Sequence, residues 1–234
     1  RNQIVQSANW LASALGATDR FIAVYKNMSL TDIKIPAFIE SVQVRQMSGR
    51  YPMETRAFRS LGKQTFIAGA ASLLHLHRAI TEGKVQTTSF VTVAGNCVTN
   101  PRNFEVSIGT PVSSLLERSG LLLEGGAMHG IRISDPDYTL IRASTSSILA
   151  FRVDRQEQLY SCIGCGRCVE ACPSGLNPHK LYQCITTNHS QKAISLGLHS
   201  CIGCSSCSYI CPSRLDLAHT IIGAKDRLTG ESKQ

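Results

Sequence analysis

Cys162-Ile-Gly-Cys165-Gly-Arg-Cys168-Val-Glu-Ala-Cys172-Pro173-Ser174 is followed, 39 residues on, by Cys201-Ile-Gly-Cys204-Ser-Ser-Cys207-Ser-Tyr-Ile-Cys211-Pro212-Ser213. In both runs the cysteines are separated by two, two and three residues, and proline follows the last. Serine stands before both, at Ser161 and Ser200. This is an internal repeat, and its reading decides how the last third of the chain folds.

The spacing C-x2-C-x2-C-x3-C-P is that of the bacterial iron–sulfur run. The reason is geometric. Three thiolates on one tight loop reach three corners of an iron–sulfur cube. The fourth, carried off as the chain starts a helix, points away and reaches the neighbouring cube. Two such runs therefore describe two [4Fe–4S] clusters with exchanged fourth ligands. The expected sets are Cys162, Cys165, Cys168 and Cys211 for one cluster, and Cys201, Cys204, Cys207 and Cys172 for the other. The small residues Gly164, Gly166, Gly203, Ser205 and Ser206 suit a backbone that folds closely around sulfur and donates N–H bonds to it. Structural zinc pairs one C-x2-C with a distant second pair, and neither run has that form. Disulfides belong to oxidising compartments, and no secretory signal opens this chain. With a cysteine on every corner iron, neither cluster offers an open site for chemistry. Electron relay is expected, and no catalytic residue is assigned.

The other two of the ten cysteines, Cys97 and Cys184, read as small packed hydrophobes. His75 and His77 are two apart on a helical stretch and face different ways, so they make no ligand pair. His199 stands near Cys201, where tuning of the second cluster is the weaker of its two readings.

Hydrophobic residues make up 43% of the 234 and charged ones 17%, so the chain can bury real cores and is not a disordered tail. Lys and Arg number 24 against 16 Asp and Glu, a formal +8. Two cubes with their thiolates bring roughly −4, leaving the loaded chain nearer about +4. That surplus fits a solvated surface or a docking face for acidic partners better than a nucleic-acid site. The longest apolar run, residues 64–77, contains Ser72, His75 and His77 and is shorter than the roughly 20 residues a membrane span needs. The chain opens at Arg1 rather than Met, which reads as a piece of something longer.

Cysteine usage changes abruptly near residue 150, which places the main boundary there. Before it, Ile4, Val5, Ala8, Leu11, Ala12 and Leu15 recur at helical spacing, with Gly16 to end the helix. Residues 21–25 read as a short buried strand, Val42 and Val44 as part of another, and 65–82 as a helix with Gly83 behind it. Residues 89–94 and 103–108 read as a hairpin, and Gly109-Thr110-Pro111 as the start of a short helix closed by Gly120. Gly125, Gly126 and Gly130 mark a loop, and 139–151 is strand-like. Residues 180–198 and 215–228 read as helices. The expected fold class is α+β multidomain: an α/β N-terminal part (1–86), a β-grasp module (87–150) and a mostly helical two-cluster ferredoxin domain (151–234).

Val91-Thr-Val-Ala-Gly95, Pro101-Arg-Asn-Phe-Glu-Val-Ser-Ile-Gly-Thr-Pro111 and Leu115-Leu116 resemble the soluble-ligand-binding β-grasp module of RnfC-type proteins. Gly125-Gly126-Ala-Met128 is similar to the glycine-rich stretch that follows it there. Residues 168–182 and 207–214 resemble the RnfC ferredoxin domain. The resemblance covers roughly residues 65–230. It implies a peripheral subunit of a membrane complex that couples NADH–ferredoxin electron exchange to ion transport, with an FMN and NADH site related to the flavin subunit of respiratory complex I. It also implies a cytoplasmic place, peripheral on the inner membrane through partner subunits.

The sequence departs from that pattern. The flavin loop of the kind G-R-G-G-A-G-F-P is missing, as is the G-E-E-type segment; Tyr51-Pro-Met-Glu-Thr-Arg56 stands where related glycines are expected. The stretch between Gly62 and Phe66 looks shortened, and no G-x-G-x-x-G fingerprint is present. FMN therefore has no visible motif, and no residue is assigned to flavin or NADH. The expectation is a redox subunit without a complete catalytic site of its own. It would relay electrons between a flavin/NADH or other redox partner and ferredoxin-type acceptors. Two other readings stay open: a cobalamin-reductase-type relative, and a non-enzymatic iron–sulfur adaptor of a larger redox assembly.

Overall fold

A computed structural model describes residues 2–25, 36–62, 64–116, 120–152 and 158–231. The chain is a mixed α/β protein with two sheets and a helical tail.

Helix α1 (Asn2–Ala14) buries Val5, Ser7 and Ala12. It ends as Gly16 turns left-handed and Ala17 N–H reaches back to the Ala12 carbonyl at 2.9 Å. Strands β1 (Phe21–Tyr25), β2 (Phe38–Ile39) and β3 (Val42–Met47) form a small sheet ordered β1-β3-β2, with β1 parallel and β2 antiparallel to β3. Expected as buried, β1 is half-buried at Phe21, Ile22 and Val24 and exposed at Ala23. Helix α2 (Met53–Leu61) follows the cis Tyr51–Pro52 bond. Helix α3 (Ala70–Glu82) packs on α1, with Trp10 stacked on His77 at 5.4 Å. It starts five residues later than its apolar pattern, because Gly69 is extended and leaves the preceding stretch outside the helix.

The second sheet holds β4 (Thr88–Ala94), β5 (Arg102–Ser107), β6 (Leu121–Glu124), β7 (Ile131–Arg132) and β8 (Ser147–Phe151), in the order β5-β4-β8-β6-β7. The central pair β4–β8 is parallel, and the other pairings are antiparallel. Ser89, Val91 and Val93 of β4 and Ile148 and Ala150 of β8 alternate inward. With Val106, Val112, Leu122, Ile133 and Ile141 the apolar members form one core. Gly95 is required where β4 ends: a Cβ there would lie 1.9 Å from the Ala150 carbonyl oxygen, and its φ is +127°. Arg78 of α3 pairs with Glu105 of β5, tying the helix to this sheet.

Two expectations fail here. The helix read from Thr110-Pro111 to Gly120 is a 3₁₀ turn, Val112–Ser114. The backbone of 109–112 is already paired with 139–141: Gly109 N–H donates to Ile141, Ile141 N–H to Thr110, and Val112 N–H to Thr139. Tertiary pairing overrides a good local start signal, and residues 117–119 lie outside the described part. The same pairing consumes the front of the strand expected over 139–151, which is regular only as β8.

The tail holds α4 (Arg167–Ala171), α5 (Pro178–Thr186), α6 (Ser190–Ser195), α7 (Ser206–Tyr209) and α8 (Leu217–Glu231). The stretch 180–198 is two helices rather than one, split where Asn188 turns left-handed at φ +58°. Leu181, Cys184, Ala193, Leu198, Ile221 and Ala224 form a core between α5, α6 and α8. Cys184 is thus a packed hydrophobe, and Cys97 packs against the sheet core.

Candidate metal centre

The repeat in sequence is a repeat in backbone. Gly164 and Gly203 both have φ +69°. Gly166 (+73°) matches Ser205 (+60°), each preceding a short helix, α4 or α7. Gly175 (+65°) matches Arg214 (+54°), and both make the same turn, bonding back to the carbonyls of Cys172 and Cys211. Left-handed positions crowd each loop because the chain must reverse tightly enough to aim three cysteine side chains inward. Glycine takes that conformation without penalty, whereas Ser205 and Arg214 are L-residues held in it.

The structure brings the fourth cysteine of each run to the other loop. Tyr160 N–H donates to the Ser213 carbonyl at 3.1 Å, and Ser213 Oγ donates to the Ser161 carbonyl at 2.8 Å. These bonds clip the start of the first run to the end of the second. A cavity of about 170 Å³ is lined by Cys162, Cys165, Cys168 and Cys211. A narrower one, about 20 Å³, is lined by Cys172, Cys201, Cys204 and Cys207. All eight expected cysteines therefore face one or other of two cavities, in the expected sets of four.

The donor chemistry suits a cube. Backbone N–H groups point at sulfur: Gly164 at Cys162 Sγ and Leu176 at Cys172 Sγ, both at 3.4 Å. Among the described residues no three His, Cys, Asp or Glu side chains are placed to hold a single ion. A cube does not ask this of them, since each corner iron takes one thiolate and the four sulfurs stand apart.

The two sites differ in their surroundings. Cys162 and Cys165 are exposed, and the loop from Ser161 to Arg167 lies open to solvent. The second site is covered. Burial pushes the Cys201 thiol up and the Cys207 thiol up to about 12; it raises Cys168 as well, against backbone N–H bonds that favour the thiolate. These thiols hold their protons near neutrality until a metal replaces them, so loading the sites releases protons.

Part of the cover comes from the segment Tyr51–Arg56. The Tyr51 carbonyl accepts from Ser206 Oγ at 3.4 Å, and Ser206 Oγ accepts from Cys204 Sγ at 3.4 Å. Arg56 of α2 donates to the Ala171 carbonyl at 2.8 Å. The Tyr51 hydroxyl bonds His129 Nδ1 at 2.6 Å and the rings stack, so one segment touches both the glycine loop of the sheet module and the second four-cysteine site. Burial, then Cys204 and Glu54, raise the Tyr51 phenol above its ordinary range. No local signal announces the contacts of Tyr51 and Arg56 with Ser206, Ala171 and His129, because each joins residues far apart in the chain.

Comparison with known proteins agrees with this layout. The family described as a 4Fe-4S dicluster domain matches residues 151–215, and the SLBB domain matches 90–136. The RnfC protein of the ion-translocating oxidoreductase complex of Rhodobacter capsulatus is 31% identical over 97% of this chain and 49% of its own length. The chain is an RnfC homologue. The corresponding proteins of Serratia proteamaculans and Yersinia enterocolitica are 37% and 33% identical over 46% and 47% of this chain, and 16% and 17% of their own lengths. The chain spans about half the length of the relative it matches almost throughout. Among the described residues no helix is long and apolar enough to cross a membrane.

Proposed function

We propose that this chain is the electron-relay part of an RnfC-type subunit and holds two [4Fe–4S] clusters. Cys162, Cys165, Cys168 and Cys211 hold the outer cluster; Cys201, Cys204, Cys207 and Cys172 hold the inner one. The observation that carries the reading is the lining of the two cavities, each by three cysteines of one run and the last of the other. When bound, each cluster takes up and passes on one electron at a time. The chain's own work is to fix the two sites against one another through shared helices. α4 carries Cys168 and ends before Cys172, α7 carries Cys207 and ends before Cys211, and these two helices pack together.

Three parts divide this work: residues 1–86 as an α/β unit, 87–150 as the β-grasp module, and 151–234 as the cluster domain. The exposed loop of the outer site is where another protein's redox group approaches. The inner site faces the Tyr51–Arg56 segment and, through Tyr51, the sheet module. Partners are the other subunits of a redox complex, with a flavoprotein or a ferredoxin as the electron-exchanging one. The complex places the chain at the cytoplasmic face of a membrane.

Anaerobic reconstitution tests the reading. About eight irons per chain and two one-electron signals are expected. A colourless protein, or about four irons, would overturn it. Reduction by NADH with added FMN assigns a flavin site to the chain. Reduction only through an added flavoprotein or ferredoxin assigns the relay role alone, and turnover of a corrinoid would move the chain to the cobalamin-reductase type.

A further inference from the structure

Arg56 is a half-buried cation at the edge of the inner site. Its Nη2 donates to the Ala171 carbonyl at 2.8 Å, while its Nε is buried with no hydrogen-bond partner. Among the described residues no carboxylate pairs with it. A half-buried cation with no carboxylate partner is favoured by negative charge nearby. Ala171 is bonded directly to Cys172, one of the four cysteines of the inner site. Five bonds separate that carbonyl oxygen from the Cys172 sulfur, so the guanidinium lies within about 10 Å of it. The same segment reaches the inner site a second time, where the Tyr51 carbonyl takes the hydroxyl of Ser206, between Cys204 and Cys207. The outer site differs at the matching place: at the position 39 residues before Ser206 stands Arg167, and it is exposed, whereas Ser206 is 5% exposed.

We infer that Arg56 is a positioning residue whose charge sets the reduction potential of the inner cluster selectively. This rests on the cluster assignment proposed above. A four-thiolate cube is an anion that gains a further negative charge on reduction, and a fixed cation beside it stabilises the reduced form more than the oxidised one. The Ala171 bond holds that cation in place. At the effective dielectric of about 20 that suits protein sites, a unit charge within about 10 Å shifts such an equilibrium roughly tenfold.

The test is a redox titration followed by electron paramagnetic resonance on the reconstituted full chain, comparing wild type, Arg56→Gln and Arg56→Lys. Iron content first establishes that each variant holds both clusters. Arg56→Gln is expected to make the inner cluster roughly tenfold harder to reduce, about −59 mV for one electron, and to leave the outer one within a third of that. Arg56→Lys keeps the charge and should restore most of the shift even where it loses the bond geometry. Equal shifts of both clusters, no shift, or a lysine variant that behaves like glutamine would overturn the inference and leave the cluster assignment standing. Wild type without two clusters would overturn both.

Discussion

Removing the Cys172 sulfur decides how the two runs share their cubes. Cys172 lies four residues after Cys168, yet the two face different cavities: Cys168 joins Cys162, Cys165 and Cys211, and Cys172 joins Cys201, Cys204 and Cys207. Alanine has no donor atom, so Cys172→Ala leaves the inner cube with three ligands and the outer with four. Each cube accounts for about four of about eight irons, so the variant should retain about four. The double variants carry the decision. Cys172→Ala with Cys201→Ala strikes the same cube twice and should still retain about four irons. Cys172→Ala with Cys162→Ala strikes both and should retain almost none. Ligation within each run reverses the pattern: the first pair would empty the chain and the second would keep about four. Iron and sulfide content after anaerobic reconstitution reads the result, and the reversed pattern would refute the reasoning. A second consequence concerns stability. Cys201 and Leu176 both pack against the core of the tail, and Leu176 N–H bonds Cys172 Sγ. Losing the inner cube should therefore lower the melting midpoint further than losing the outer one through Cys162→Ala.

Leu181 is fully buried at the centre of the tail core, so Leu181→Ala should cost about 2–5 kcal/mol in denaturant unfolding of the loaded domain; a loss below about 1 kcal/mol would show that core to be loose. Gly95→Ala puts a Cβ into the Ala150 carbonyl and should destabilise the chain by more than about 3 kcal/mol, with hydrogen exchange rising first in β4 and β8; wild-type exchange there would contradict the close approach. In the iron-free chain, burial holds the Cys207 thiol up to about 12, against about 8.5 in an unfolded chain. Folded protein then keeps a proton that unfolded protein releases. Apo stability should be whole below about pH 8.5 and fall as pH rises toward 12, while cluster loading, which needs thiolates, improves over the same rise; apo stability that grew with pH would reverse the sign.

The cysteine arithmetic carried most of the site. Spacing alone grouped the eight sulfurs as the two cavities group them, because three residues between the third and fourth cysteine force the chain into a short helix that carries the last one away. The strand at residues 89–94 and the glycines ending α1 and α3 were equally legible, since each depends on neighbours in the chain. What failed was non-local. Thr110 and Pro111 have the chemistry of a helix start, yet their backbone is committed to residues 139–141. Leu181, Leu198 and Ile221, drawn from three separate stretches, meet in one core that no single stretch announces. Tyr51 and Arg56 read as a gap in a glycine pattern, and only folding shows what they touch.

Duplication by itself would make two equal cubes, and the left-handed residues at matched places in both loops show how closely the backbones agree. Packing then makes them unequal. Ile163 in the outer loop is 69% exposed and its counterpart Ile202 is 48% exposed; Cys162 and Cys165 meet water, while the inner cysteines are half-buried beside Tyr51 and α8. Solvent exposure, net charge and N–H bonds to sulfur are what set a cluster's potential. Burial alone would make the inner cube the harder one to reduce, because desolvation penalises the extra negative charge. A relay needs the two within reach of one another, or the inner cube becomes a barrier. On the proposed reading, the cation of Arg56 offsets that desolvation where it is largest. On that reading the Tyr51–Arg56 segment acts on the electron path.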